Sequence, residues 1–348
     1  MKSNTHIEIV RSDTSSLSSM GQQSAQMIRH VLGRHYKNVG ITNVSNHHDL
    51  TKLAATAPGL IFLGMKNIPV TTSPGHHKIW LSQYFDERGL NYTGSNRGAI
   101  ALDYDKPASK QAVRQAGLMT SSHFLAQSGQ YTLAAQLPLS FPLFIKPPNT
   151  GGGKGIDSAS VVRDFPAYES KVEAINRRFD CPALVENYLQ GREFSVAIMS
   201  STNDDELVAM PIELITEPNL AGDRILGQSV KAADTERVVA VTDLAVKALV
   251  VGLAKAAFNV LGARDYGRID IRLDADGTPH FLEANLVPGL AQHDFTSYFT
   301  AACQINRAMD YETMILSIVE LGLARQSSAD VDLLDISFDH LNLVPAFS

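Results

Sequence analysis

Asp270 and Glu283 are carboxylates on two alternating runs, Arg268-Ile-Asp-Ile-Arg-Leu-Asp274 and Thr278-Pro-His-Phe-Leu-Glu-Ala-Asn285, that meet at Asp276-Gly277. Asp-Gly between alternating apolar runs is a strong hairpin signal. With those two residues as the turn, Asp270 stands opposite Glu283 and Arg268 opposite Asn285. A four-residue loop would shift the pairing but keep the four side chains on one face, since strands alternate with period two. The other face carries Ile269, Ile271, Leu273, Leu282 and Ala284 and reads as core. Like charges facing across strands destabilise the pair. Two carboxylates and an amide on one face therefore ask for a cation, and oxygen-only ligation suits magnesium held jointly with phosphates. For a single charged hairpin, a plainly solvated face is the competing reading. Leu286-Val-Pro-Gly-Leu290 tips the balance, because a Pro-Gly turn places free backbone N–H groups beside the carboxylates.

A second group of residues could handle phosphate. Lys146 ends the apolar run Pro142-Leu-Phe-Ile-Lys146, and Pro147-Pro-Asn-Thr-Gly-Gly-Gly-Lys-Gly155 follows. Lysine is rarely buried without a partner, and a phosphate would be one. Gly151, Gly152 and Gly153, with Lys154 and Gly155, form a loop whose amides can close over phosphate oxygens. It matches neither the Walker A pattern nor the dinucleotide fingerprint, and alone it would be an ordinary surface loop. Glu186 and Glu193 flank a reversal at Gln190-Gly191, and the backbone of Asn187, Tyr188 and Leu189 offers an edge that could read a base. Without its neighbours this segment would be an exposed hairpin.

The elements that must carry these groups are legible in outline. Strands fit 7–10, 38–44 and 59–65, with helices near 20–35 and 77–89, which is the alternation of a parallel α/β layer. Residues 96–117 read as one helix with Asp105 and Lys106 near its middle. Strands fit 142–146, 183–189 and 193–199. The stretch 201–234 has no clear pattern, 235–261 reads as a long helix, and another helix fits 310–325. The tail carries Leu333, Leu334, Ile336, Phe338 and Leu341 and suits an amphipathic strap or helix.

At 348 residues there is room for two or three domains. With 44% apolar and 19% charged residues and a net charge of −6, no basic stripe stands out to track nucleic acid. Cys181 and Cys303 are too few for a disulfide framework and lack metal-site spacing. No apolar run of membrane-spanning length and no signal-peptide core is present, so the expected location is the cytoplasm.

Taken in order, these residues resemble the ATP-grasp superfamily, and within it the D-alanine–D-alanine ligases. The resemblance covers roughly residues 59–325. It rests on Asn91-Tyr-Thr-Gly-Ser95 with Asp105-Lys106, on Lys146 with its Gly-rich loop, and on Glu186-Asn-Tyr-Leu189 with Gly191-Arg-Glu-Phe194. Gly267-Arg-Ile-Asp270 and Leu282-Glu-Ala-Asn-Leu-Val-Pro-Gly-Leu290 complete it. It implies an α/β fold with an α+β C-terminal part. In that arrangement 1–103 form an N-terminal parallel preATP-grasp domain, 104–185 a central subdomain, 186–326 a C-terminal subdomain, and 327–348 a tail. ATP would lie between the central and C-terminal parts. Glu186 and Leu189 would hold the base, Glu193 the ribose, Lys106 and Lys146 the α and β phosphates, and Lys231 the γ phosphate. Asp270, Glu283 and Asn285 would bind two magnesium ions, with manganese as a substitute. Arg268 would stabilise the phosphoryl transition state, and the Gly289 amide the oxyanion. The family commonly forms homodimers through its N-terminal unit.

The acceptor half departs from that pattern. Gly152 and Gly153 stand where the family normally has two serines, and Lys154 adds a cation. Asp294 stands where a serine holds the second substrate's carboxylate, and an aspartate there would repel one. His293 joins it in the same substrate loop, with no catalytic role assigned. No counterpart of the family's first-substrate glutamate is evident among residues 11–20, which offer Asp13 and several hydroxyls. The expectation is an ATP- and magnesium-dependent carboxylate–amine ligase acting on amino acids or other small carboxylates, with an altered acceptor site. Its alternatives are a true D-alanine–D-alanine ligase and a nucleotide-binding regulatory protein without catalysis.

Overall fold

The computed structural model describes residues 2–14, 17–70, 78–201, 206–292 and 297–339, with side chains as far as residue 325. The described residues gather into two compact units. One comprises those of Met1–Gly94, Ser200–Glu206 and Glu312–Ser348, and the other those of Ser95–Met199 and Leu207–Tyr311.

In the first unit, β1 (Ser3–Arg11) lies between β2 (Tyr36–Asn43) and β3 (Leu60–Leu63), all parallel. Ile7, Ile9, Val10, Leu60, Ile61 and Phe62 are fully buried, the continuous apolar run that a parallel sheet covered by helices requires. Helix α1 (Gln22–His35) buries Ala25, Ile28, Val31 and Leu32, spaced for one helical face. A reciprocal capping box between Asn46 and Asp49 starts α2 (His47–Ala55). The helix expected over 77–89 is shorter: β4 (Asn67–Pro69) pairs with β5 (Lys78–Trp80), and α3 (Leu81–Asp86) begins only after that ladder. A C-terminal helix from Tyr311 to Asp339 buries Met314, Ile315, Ile318 and Val319 and so extends past the expected 310–325. At Gly322 a Cβ would lie 2.9 Å from Leu60 Cδ1, and the Gly322 carbonyl accepts from Asn91 Nδ2 at 2.8 Å. Leu341 of the tail lies outside the described residues.

The second unit opens with α4 (Arg97–Tyr104) and α5 (Lys106–Gln115). They are two helices rather than one because Asp105 leaves helical geometry and its carboxylate caps α5 at the Ala108 N–H, with Pro107 in the first turn. A four-stranded antiparallel sheet has the order β6 (His123–Ala126), β9 (Ala183–Asn187), β7 (Leu143–Lys146), β8 (Val161–Val162), backed by α6 (Phe165–Phe179). A five-stranded sheet has the order β12 (Arg237–Ala240), β11 (Leu207–Ile215), β10 (Glu193–Ser200), β13 (Tyr266–Leu273), β14 (Pro279–Asn285). The patternless stretch thus contains a strand, β11, and a short helix, α7 (Gln228–Ala233). The long helix starts late. Val238 and Val239 pair with β11, and Asp243 caps α8 (Leu244–Val260) at the N–H groups of Ala245 and Val246. Helix α9 (Tyr298–Ile305) completes the unit. Among the described residues no helix is long and apolar enough to cross a membrane.

Candidate active site

Arg268 pairs with Asn285 and Asp270 with Glu283, the register that a two-residue turn would give. The turn itself is different. Asp274 N–H donates to the Thr278 carbonyl and Gly277 N–H to the Asp274 carbonyl, with Gly277 at φ 83°, so the loop has three residues and ends in a left-handed glycine. Beyond it Ile271 pairs with Phe281, one residue out of step, and the register shift next to Asp270 restores the alignment. The shift falls at Leu282, which leaves the core face assigned to it and lines the cleft described below, while fully buried Phe281 takes the core position.

The two carboxylates find cations within the chain. Arg268 forks onto Asp270 with both contacts at 3.0 Å, and Ser195 Oγ donates to Asp270 Oδ1 at 2.6 Å. Lys106 Nζ stands 3.4 Å from Glu283 Oε2. Burial alone would raise the Glu283 pKa. Lys106, Lys146, Lys231 and Arg268 overcome it and hold the carboxyl down at about 2. The hairpin therefore does not depend on a metal to relieve its like charges. Among the described residues no three His, Cys, Asp or Glu side chains form a metal cluster. The set on the page is two carboxylates and the Asn285 amide, all oxygen donors, which fits a hard cation such as magnesium.

Asp270 and Glu283 border a cleft within the second unit. Lys106, Lys146, Lys154 and Lys231 line it together with Asp270 and Glu283, so cations converge on the carboxylate end. Lys146, expected to need a partner, has one in Glu186 at 2.8 Å. Fully buried Lys110 reaches the other Glu186 oxygen at 2.7 Å, and Ser121 Oγ donates to the same oxygen at 2.9 Å. Burial would raise the Glu186 pKa, but the two lysines hold it far below the ordinary carboxylate range.

Phe144, Ile156, Tyr188, Leu189, Leu226 and Leu282 supply the cleft's apolar surface. Phe144 and Tyr188 stack at 6.3 Å with an interplanar angle of 15°. Glu193 accepts from Arg272 at 2.9 Å. The Arg272 guanidinium lies 5.5 Å from the Tyr188 ring centre and also donates to the Arg224 carbonyl at 2.8 Å. Burial raises the Glu193 pKa, and Arg272 only partly opposes it.

The glycine loop and the segment before α7 touch. Lys106 Nζ donates to the Thr150 carbonyl at 2.6 Å, and Gly152 and Gly153 adopt φ of 65° and 72°. A Cβ on Gly153 would lie 2.9 Å from Gln228 N and 3.0 Å from the Gly227 carbonyl carbon, while one on Gly227 would lie 2.7 Å from the Ile156 carbonyl oxygen. Only glycine allows these backbones to meet. Gln228 N–H seals the contact onto the Ile156 carbonyl at 3.2 Å. From α7, Lys231 projects toward Tyr298, its Nζ 5.8 Å from the ring centre. Arg268 lies over the same ring at 5.1 Å, and the Tyr298 hydroxyl donates to Glu236.

Of the residues singled out in the sequence, Gly153, Asn187, Tyr188, Leu189 and Glu193 also border the cleft. Gly151 and Gly152 are exposed on the same loop, and Gly289 is half-buried in the loop after β14. Arg268 sits behind Asp270, with Asn285 opposite it. Asp13 belongs to the first unit, where it accepts from Arg11 and Asn43. His293 and Asp294 lie outside the described residues. Lys110, Arg272 and Tyr298 were not singled out. Lys106 and Lys110 are four apart on one helix, and Arg272 follows Asp270 by two on one strand, so both spacings held a signal.

Residues 112–320 match the family described as D-ala D-ala ligase C-terminus. The D-alanine–D-alanine ligase of Stutzerimonas stutzeri (strain A1501) is 32% identical over 236 residues, 68% of this chain and 70% of that protein. That of Bordetella petrii is 32% identical over 233 residues, 66% of this chain and 68% of that protein. The crystal structure of the D-alanine–D-alanine ligase from Bacillus anthracis complexed with ATP superimposes with a TM-score of 0.70 at 20% identity, covering 93% of this chain and 99% of that one. The fold is ATP-grasp. With the matched segment spanning the hairpin, Lys146, Lys231 and the glycine loop, the chain belongs to the D-alanine–D-alanine ligase family.

Proposed function

We propose that the protein is an ATP- and magnesium-dependent ligase that joins a carboxylate to an amine through an acylphosphate, with an acceptor site altered from that of its relatives. The observation that carries this reading is the convergence of Lys106, Lys146 and Lys231 on the Asp270–Glu283 face of a single cleft. A pure nucleotide binder has no use for Arg268 beside those carboxylates.

The base fits between Phe144, Tyr188 and Leu282, with the Leu189 backbone on its edge and Glu186 near its amine. Glu193 accepts from the ribose hydroxyls. Lys106 and Lys146 hold the α and β phosphates, and Lys231 the γ phosphate. Asp270, Glu283 and Asn285 would hold magnesium, which when bound would supply positive charge to offset that of the phosphates. A substrate carboxylate oxygen bonds to the γ phosphorus as the β–γ bridging bond breaks and ADP leaves. The amine of the second substrate then bonds to the acyl carbon, phosphate departs, and the nitrogen loses a proton. Arg268 faces the charge developing on the transferred group, and the Gly289 N–H the oxyanion. The loop of Gly151, Gly152, Gly153 and Lys154, meeting the segment before Lys231, excludes water that would hydrolyse the acylphosphate.

The acceptor is the open part of the proposal. Asp294, with His293 next to it in the sequence, disfavours a second carboxylate and suits a cationic or hydroxylated group. The 32% identity to a D-alanine–D-alanine ligase favours the second reading, D-alanine as both substrates. A cytoplasmic homodimer is the setting we assign. The deciding experiment incubates the protein with ATP, magnesium and pooled D- and L-amino acids and identifies amides by mass spectrometry. D-alanyl-D-alanine would establish the second reading, and a different dipeptide the altered acceptor. Nucleotide binding with neither amide nor phosphate release would overturn both.

A further inference from the structure

Lys110 is fully buried and does not line the cleft, yet it is tied to the groups that do. Its ammonium lies 2.7 Å from Glu186 and donates to Thr120 Oγ1 and Ser121 Oγ at 3.1 Å and to the Phe281 carbonyl at 3.2 Å. Glu186 is shared between this lysine and Lys146. Within this trio one anion stands between two cations, one positive charge in excess, and Glu283 and Glu193 also act on Lys146 from the cleft side. Structural satisfaction of Glu186 does not call for the second lysine, since Lys146 neutralises it and Ser121 already donates to it. A second buried cation is costly. Burial first, and then the charge of Lys146, pull the Lys110 pKa down to about 8.

The excess charge has a direction. Lys110 faces the interior between α5, the start of β6 and the Phe281 carbonyl, whereas Lys146 opens onto the cleft. We propose that Lys110 is a positioning residue that acts through Glu186, sharing this carboxylate from the side away from the cleft so that Lys146 is less neutralised by it and presents more positive charge to the polyphosphate in the cleft. The inference rests on reading the cleft as the ATP site. Without Lys110 the Glu186–Lys146 pair is neutral overall, and the phosphates meet a dipole in place of a cation.

Isothermal titration of the full-length protein with tripolyphosphate, which has no base or ribose, tests this. Lys110→Met should weaken binding roughly tenfold, about 1.4 kcal/mol, the scale of one partly screened charge contact. The double variant Lys110→Met, Glu186→Gln restores the single excess charge and should recover to within about threefold of the parent affinity. A merely structural Lys110 predicts a melting temperature that falls in the single variant and recovers in the double, with tripolyphosphate affinity of the folded protein unchanged throughout. If Lys110→Met does not fold, Lys110→Gln keeps a donor for the Phe281 carbonyl and should show the same loss and rescue. Unchanged affinity in the single variant, or no recovery in the double, overturns the proposal. A parent protein that binds neither ATP nor tripolyphosphate overturns the cleft assignment as well. One that binds both, with Lys110→Met unaffected, overturns only the role of Lys110.

Discussion

Asp270 faces Glu283 across β13 and β14 because Leu282 is bulged out between Glu283 and the hairpin loop. The bulge puts both carboxylates on the cleft side and, by the same displacement, adds the Leu282 side chain to the apolar wall. On the proposed function, Glu283→Ala removes a magnesium ligand without touching the core. Turnover, measured as phosphate released with substrates present, should fall at least about a hundredfold. The protein should stay folded, with a melting temperature lowered by the loss of the pairing between Glu283 and its lysines. Near-normal turnover would refute the metal assignment.

Acid stability should report the same carboxylate. The Glu283 pKa lies well below its ordinary value, so its contribution to metal-free stability is fully present above the unfolded pKa, near 4.5, and is lost as pH falls through about 2. Denaturant unfolding in a chelator, repeated across that window, should therefore show a shallower pH slope for Glu283→Gln, by about one proton. Identical slopes would mean that the lysines do not depress this group.

Arg272 links the proposed ribose carboxylate to the lid through the Arg224 carbonyl. Arg272→Met should raise the KM for ATP about tenfold, the loss expected for one charge-assisted pair, with a smaller effect on kcat. It also removes the cation that opposes burial at Glu193, so that pKa climbs further. A ribose hydroxyl needs the ionised acceptor, which exists above the pKa. The variant's KM should therefore go on improving to higher pH than the parent's does, and parallel profiles would sink the assignment.

Gly153 and Gly152 separate lid contact from backbone strain. Both have positive φ, so alanine at either costs about 1–2 kcal/mol in the loop. Only at Gly153 would the new methyl strike the backbone of Gly227 and Gln228; at Gly152 nothing lies within 4 Å. Gly153→Ala should release phosphate in excess of amide, as acylphosphate leaks to water, whereas Gly152→Ala should keep the two near parity. Equal leakage from both variants would show that the lids do not seal by this contact.

The chemistry was easier to read than the scaffold. Asp270, Glu283 and Lys146 are polar residues in apolar surroundings, so their placement marked them, while Lys106 entered through the family resemblance. Lys110 has the same signal, but a lysine four residues from another on a helix reads as solvated until Glu186, 76 positions later, is known to lie beside it. Residues 237–240 read as helix because no glycine or proline separates Val238 to Val241 from apolar α8, and only pairing with β11 makes them a strand. The register of the hairpin was anticipated for an incomplete reason. The loop is one residue longer than the Asp-Gly signal suggests, and the bulge, which no local pattern announces, compensates.

That compensation separates the far end of the hairpin from the chemistry. A loop of three residues with a bulge and a loop of two without one deliver the same Asp270–Glu283 alignment, so loop length is not read out at the carboxylates. The irregularity works as a slip joint. The tip around Ala275 and Asp276, exposed and remote from the cleft lining, is consequently the place to graft a reporter or an affinity handle while leaving the alignment of the carboxylates undisturbed.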